Sequence, residues 1–393
     1  IWVVTFVGLS IIQKEADGTF TVTRGDSFFD EDANKLFHEI AKDRWGNLWI
    51  GSVGEGLFKL NFNQLAIQNF PLNEVTKTMN VPSYVTRLLE TPSGNVFISI
   101  NRIWIFSLNQ RTGESLRLSN TVAKRLNSIS SMIYVKSTNE IWVTNEGEDL
   151  IYIFKNNGSE LDFVNYFSIK NTKFSNENTI TSMFEDSKGN VWIGASDGLY
   201  LKSSNKPVKL VSDKYRSAGA IKEDKLNNIW IGTGKEGVYI CKPTLKNNSY
   251  NYPFKEIPLR INNYRSLSVQ SICCTDKGQV FIGTREGCLY EYDSNKNTAT
   301  DISGLYGITE EGIMDIISDN SGVLWISTIK RIIRYNPETH AATYYSNADG
   351  LLVSSFFKDA CIKLNSGQIM FGGNKGICVY QTKRSFNRYS YTK

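Results

Sequence analysis

Glu185 to Tyr200, EDSKGNVWIGASDGLY, reads as two short strands with the turns that serve them. Asp186 opens a turn in which its carboxylate accepts backbone N–H groups, and Gly189 supplies the positive φ that a tight connection needs. Val191-Trp192-Ile193-Gly194 has β character and no helical periodicity, and Gly198-Leu199-Tyr200 starts the next strand. Trp192 is placed to seal one sheet against another with its large apolar area, and Gly194 and Gly198 read as bends toward the third strand.

The phrase recurs. Its aromatic anchor falls at Trp2, Trp49, Phe97, Trp142, Trp192, Trp230, Phe281 and Trp325, and Met370 takes the same place in GQIMFGG. Successive anchors are 47, 48, 45, 50, 38, 51, 44 and 45 residues apart, a period belonging to propellers or solenoids. Each anchor strand has strand-like text on both sides, and a fourth strand follows in pieces such as Pro207–Asp213. The expected fold is therefore all-β, a β-propeller of four-stranded antiparallel blades. Nine registers exceed the four to eight blades of an ordinary ring. The organisation expected is a seven-bladed propeller over residues 80–393, with residues 1–79 as the last blades of a preceding one; a single larger ring is the alternative. One short helix is expected, over Thr121–Ser128.

With 41% apolar and 21% charged residues, the 393-residue chain can bury a large core. The net charge of +5 is spread thinly, without the basic runs of a nucleic-acid binder. No stretch approaches 18 apolar residues. The start at Ile1-Trp2, without a signal core, suggests a processed or trimmed piece. The six cysteines, Cys241, Cys273, Cys274, Cys288, Cys361 and Cys378, lack C-x-x-C spacing and read as small buried hydrophobes.

The repeated D-x-x-G-N-[LVI]-W-I-G-[ST]-x-x-G-[LV] pattern, visible at Asp43–Leu57 and Asp186–Leu199, resembles the two-component regulator propeller repeats. These occur in periplasmic sensor regions of hybrid two-component systems of Bacteroidetes. The closing stretch Asp349–Tyr380 is similar to that family's final blade. The resemblance implies a periplasmic sensor that binds an oligosaccharide from a complex glycan and regulates genes for its use, without catalysis by the propeller. It also implies an adjoining propeller, a β-sandwich and a membrane helix in the same protein, with a second copy as a further partner. No cofactor, metal or nucleic-acid contact is implied.

Catalytic motifs are absent from the text. His38 and His340 stand about 300 residues apart, and no H-x-x-H, H-E-x-x-H, G-x-S-x-G or P-loop occurs. A propeller glycoside hydrolase or polysaccharide lyase is the alternative function, and a protein-interaction propeller a further one. In a four-stranded blade the second-to-third loop and the link to the next blade share one face, where ligands are expected. Sugar rings stack on aromatics, and their hydroxyls bond Arg, Asn or Asp. The candidates there are Tyr215-Arg216 in DKYRSAG, Tyr264-Arg265 in NNYRSLS, Tyr306, Arg285, Lys235 and Asp197. Trp104 and Trp45 depart from the repeat, and Trp45 reads as a partner contact on the opposite face.

Overall fold

The computed structural model describes residues 2–5, 8–14, 18–24, 36–43, 48–54, 56–60, 67–72, 84–102, 104–110, 115–117, 125–126, 128–157, 160–170, 179–204, 206–246, 249–259, 268–304 and 311–380. Most of the expected helix over Thr121–Ser128 lies outside these residues. Among them the one named helical element is the 3-10 turn Asn347–Asp349. Two three-stranded sheets come first: Trp2–Thr5, Gly8–Lys14 and Phe20–Arg24, then Phe37–Lys42, Leu48–Ser52 and Gly56–Leu60.

Seven four-stranded antiparallel sheets then follow among the described residues, numbered here as blades 1 to 7. Their first strands are Val85–Glu90, Ile129–Val135, Ile180–Glu185, Ala218–Glu223, Val269–Cys274, Ile313–Ser318 and Phe356–Lys363. Each first strand contacts that of the next blade, and the seventh contacts the first, so the order closes on itself. Blade 7 takes its outer strand from far upstream: Ile67–Pro71 pairs with Gly376–Tyr380 from Ile67↔Tyr380 to Pro71↔Gly376. The expected boundary after residue 79 is thus corrected. It separates a strand from the sheet it completes, because the repeat's text does not reveal which sheet an isolated outer strand will join.

The repeat's residues work mainly between blades. Each apolar cluster of the ring draws on two neighbouring blades and holds one anchor. Trp142 packs with blade 3, Trp192 with blade 4, Trp230 with blade 5 and Trp325 with blade 7, while Met370 packs at the junction of blades 7 and 1. Trp192 and Trp230 are 0% exposed. Such area seals the ring at about 25 cal/mol per Å² of apolar surface removed from water.

Asp186 does more than open a turn. Its Oδ1 accepts the backbone N–H of Lys188 at 3.0 Å and of Asn190 at 2.8 Å, while its Oδ2 accepts the Trp192 Nε1–H at 3.0 Å. The same acid-to-indole bond joins Asp43 to Trp49, Asp224 to Trp230 and Asp319 to Trp325. For Asp319, burial acts to raise the pKa, but the hydrogen bonds from Ser321, Trp325 and Val323 outweigh it and hold the carboxyl below its ordinary value. Where the anchor has no N–H the acid is gone: Thr91 precedes Phe97, Thr275 precedes Phe281 and Leu364 precedes Met370, each by six residues. At Trp142 that place holds Lys136, and Glu140 accepts the indole N–H instead, at 3.0 Å. A buried indole N–H without an acceptor costs about 1–3 kcal/mol, which accounts for the substitution pattern.

Two further devices bind blade to blade. Glu185 accepts the backbone N–H groups of Lys136 and Ser137 in blade 2, and Glu223 and Glu90 hold turns of blades 3 and 7 in the same way. Gly194 is not the bend expected of it but lies within a strand. A Cβ there would meet the carbonyl oxygen of Ala218 in blade 4 at 2.1 Å. Gly232, Gly283 and Gly372 likewise make room for Val269, Ile313 and Val85 of the following blade. The glycine of W-I-G is a packing residue.

Candidate functional site

The second-to-third loops and the links between blades meet on one face of the ring, and ion pairs clasp them together. Arg102 of blade 1 bonds Glu146 of blade 2 at 3.0 Å. Lys170 before blade 3 meets Asp197 Oδ2 at 2.7 Å, and Arg331 of blade 6 bonds Glu311. For Glu311 burial acts to raise the pKa, but hydrogen bonds from Arg331 and Thr328 prevail and hold it below its ordinary value.

The expected contact residues fare differently. Tyr215 is buried, its ring 4.7 Å from both Tyr239 and Phe254, so neither face is open for stacking on a sugar. This corrects the expectation at that position: the tyrosine folds into the core between blades 3 and 4. Arg216 is exposed, its Nε–H donating to the Asp213 carbonyl at 3.3 Å. Asp197 is held between Lys170 and the Tyr200 hydroxyl, which donates to it at 2.9 Å. Lys235 and Arg285 are exposed on neighbouring loops. Tyr264, Arg265, Tyr306 and Trp45 lie outside the described residues. Trp104 is half-buried against the core between blades 7 and 1. His38 is exposed, and His340 Nδ1 is 2.9 Å from the Tyr335 hydroxyl. The six cysteines are free, and burial raises the pKa of each, as expected of apolar packing residues.

Sequence reasoning missed a cluster at the mouth of the ring's axis. In blades 1, 3, 4, 5 and 6 the first strand begins twelve residues before the anchor and carries one extra, bulged residue. In blade 7 it begins fourteen before, and the register moves from Phe356↔Gly373 to Cys361↔Phe371. The two added residues swell the bulge around Phe357, Lys358 and Asp359, with Asp359 at φ 59°. Such backbone in a non-glycine residue is costly and concentrates at functional sites. Phe357 stacks on Tyr84 at 5.0 Å and 29°. Lys358 reaches across the axis to blade 4, its Nζ 2.6 Å from where a Cβ on Gly219 would lie.

Arg87 ties this bulge to the ring. Its guanidinium donates to the carbonyls of Ser130 in blade 2, Thr86 in its own strand and Lys358 in blade 7, and lies 3.5 Å from Asp359 Oδ2. Asp315 is buried beside it and accepts the Ala360 N–H at 3.2 Å. Burial first, and then the charge of Asp359, push its carboxyl up to about 8. The unfolded chain releases this proton near pH 3.8, whereas the folded ring keeps it until about pH 8. Its contribution is intact below the lower value and is lost as pH rises through the upper one. Asp315→Asn, which keeps a carbonyl acceptor, is expected to flatten the pH dependence of Tm between pH 4 and 8 and to raise Tm at pH 8.5 by roughly 5 °C. Thermal melts across that range test this; an unchanged slope would sink it.

An aromatic pair, a fixed guanidinium–carboxylate pair and a lysine thus stand together on the face where the loops gather. They offer an apolar ring surface beside hydrogen-bonding groups of both signs. A family model described as two component regulator propeller matches residues 175–197, the stretch ending in the first hairpin of blade 3. The matched stretch holds the repeated phrase around Trp192. Histidine kinase P4 of Formosa agariphila is 21% identical over 193 residues, which are 49% of this chain and 14% of that kinase. Two extracellular domains from B. thetaiotaomicron have similar structures. One, assigned to a hybrid two component system, has a TM-score of 0.63 at 19% identity, over 97% of this chain and 55% of its own. The other, assigned to a one component system, has a TM-score of 0.63 at 18% identity, over 81% and 40%. At such identities the likeness shows the fold, and the chain spans only part of each relative. No helix among the described residues is long and apolar enough to cross a membrane.

Proposed function

We propose that this chain is the extracytoplasmic, periplasmic sensor region of a hybrid two-component system. It binds a glycan-derived oligosaccharide without converting it and so regulates polysaccharide-utilisation genes through other parts of a longer protein. The observation that carries this reading is the regulator-propeller repeat at residues 175–197, in a chain whose structural relatives include extracellular domains of signalling systems. The mouth of the ring supports it in chemical terms. Tyr84 and Phe357 supply ring faces, Arg87 and Asp359 supply oriented donors and acceptors, and Arg216, Lys235 and Arg285 are exposed on the loops of blades 4 and 5. Tyr264, Arg265 and Tyr306 remain proposed contacts. Binding would act by altering packing against an adjoining propeller, a β-sandwich or a second copy.

A calorimetric screen against defined glycan fragments, with the fragments analysed afterwards, tests the reading. One fragment class is expected to bind and be recovered intact. Shortened or unsaturated products would make the chain an enzyme, and silence across a broad panel would leave an interaction module. Once a binder is known, Phe357→Ala is expected to weaken it about tenfold, as the loss of a stacking surface does. Asp197→Ala should lower Tm instead.

A further inference from the structure

We propose that a cleft between blades 4 and 5, separate from the mouth of the ring, binds a small molecule carrying a carboxylate or a sulfate ester. The cleft has a volume of about 390 Å³ and is lined by Ile240, Lys242, Pro253, Lys255, Ser294 and Asn297. That volume falls in the range of small-molecule sites. Ile240 and Lys255 are register partners on adjacent strands of blade 4, so they share one face of the sheet, the one turned to blade 5. The neighbouring acid, Glu256, pairs with Tyr239 and therefore faces the other way, toward blade 3.

The cleft sits where blade 4 departs from the repeat. Between its third and fourth strands it carries a hairpin, Thr244–Lys246 with Ser249–Asn251, that no other blade shows among the described residues. Lys242 and Pro253 flank the stems of this hairpin. The hairpin leans on blade 3, with Tyr252 edge-on to Trp192 at 5.0 Å and the Lys188 Nζ 4.3 Å from the Tyr250 ring centre. On the side facing blade 5 lies the cleft. There the turn holding Ser294 and Asn297 is fixed by Asp293 Oδ1, which accepts the N–H groups of Asn295 and Lys296. The Tyr292 hydroxyl donates to Asn297 Oδ1 at 2.8 Å, which leaves that amide's NH2 as a donor.

Two ammonium groups, a hydroxyl and a carboxamide therefore border one cleft, and no acid lines it among the described residues. The carboxylate of Asp293, which precedes Ser294, is paired with Lys296 at 3.3 Å. Such a donor set suits an oxoanion, while Ile240 and Pro253 receive the carbon skeleton attached to it.

The test titrates the full chain with sodium glucuronate, sodium methyl sulfate and glucose at matched ionic strength, followed by calorimetry. Saturable binding of an anionic probe is expected, and the preferred probe shows which oxoanion the cleft takes. The Lys242→Ala/Lys255→Ala variant should bind it at least about tenfold more weakly with an unchanged Tm, and Lys242→Arg/Lys255→Arg should keep most of the affinity. Should the double alanine variant misfold, Lys242→Gln alone is expected to show the loss. No saturable binding of either anion, equal binding of glucose, or undiminished binding by the charge-removing variants would each overturn the proposal. Loss of oligosaccharide binding at the ring mouth would leave these results unaffected.

Discussion

A chain begun at Asn80 is expected to be less stable than one begun at Asn61 by about 5 kcal/mol or more, although the residues removed contain no repeat anchor. The longer chain keeps Ile67–Pro71, which fills the outer edge of blade 7. Phe70 and Leu72 are 8% and 3% exposed, and burying each contributes about 2–3 kcal/mol. Removing the strand also bares the edge of Gly376–Tyr380, a template for pairing with other chains, so the shorter protein should aggregate as well. Urea midpoints and light scattering compare the two. Equal midpoints would mean that the ring does not depend on this strand.

Trp192→Ala should destabilise the ring by about 4 kcal/mol, the range for a large buried aromatic. The more informative measurement is a cycle with its acceptor. Asp186→Thr alone should cost about 2–3 kcal/mol, because the buried indole N–H loses its acceptor and a threonine hydroxyl replaces only part of the carboxylate's backbone bonds, as Thr275 Oγ1 does by accepting the Gln279 N–H at 3.1 Å. Trp192→Phe alone should cost about 1–2 kcal/mol. The double variant reproduces the pairing used at Thr91/Phe97 and Thr275/Phe281 and should cost about 1–2 kcal/mol less than the sum. Strict additivity in denaturant unfolding would show that the pairing is not energetic.

The repeat made the fold legible because it records contacts between equivalent neighbours. The anchors, the turn glycines and the acid six residues before four of the indoles answer to the same local geometry, so the copies restate it along the chain. Gly194 was misread because its constraint comes from Ala218, in the next sheet, and a glycine looks the same whether it frees a turn or clears a neighbour. The YRS pair suggested a surface tyrosine, yet Tyr215 is aimed inward by Tyr239 and Phe254, residues distant in sequence. The ring mouth was written in the text as a spacing of fourteen where blade 2 has thirteen and the other five blades have twelve. That difference acquires meaning only once Phe356 is known to stand level with Val85 and Ile313. Arg87 and Asp315 were hidden more deeply, since their partners come from three different blades.

The seam at blade 7 also sets a timetable. Ile67 pairs with Tyr380, so the strand that completes the ring is synthesised some 300 residues before its partner exists. At typical elongation rates of about 5–20 residues per second, that is a wait of roughly 15–60 s. Throughout it Phe70 and Leu72 have no blade to join, while blades 1 to 6 can form in order behind them. Closure is then the last event of folding and the contact of greatest sequence separation, the kind that pays its loop entropy before any return. Variants that weaken the seam should therefore show their damage first as misassembly of newly made chains, and only later as faster unfolding of finished ones.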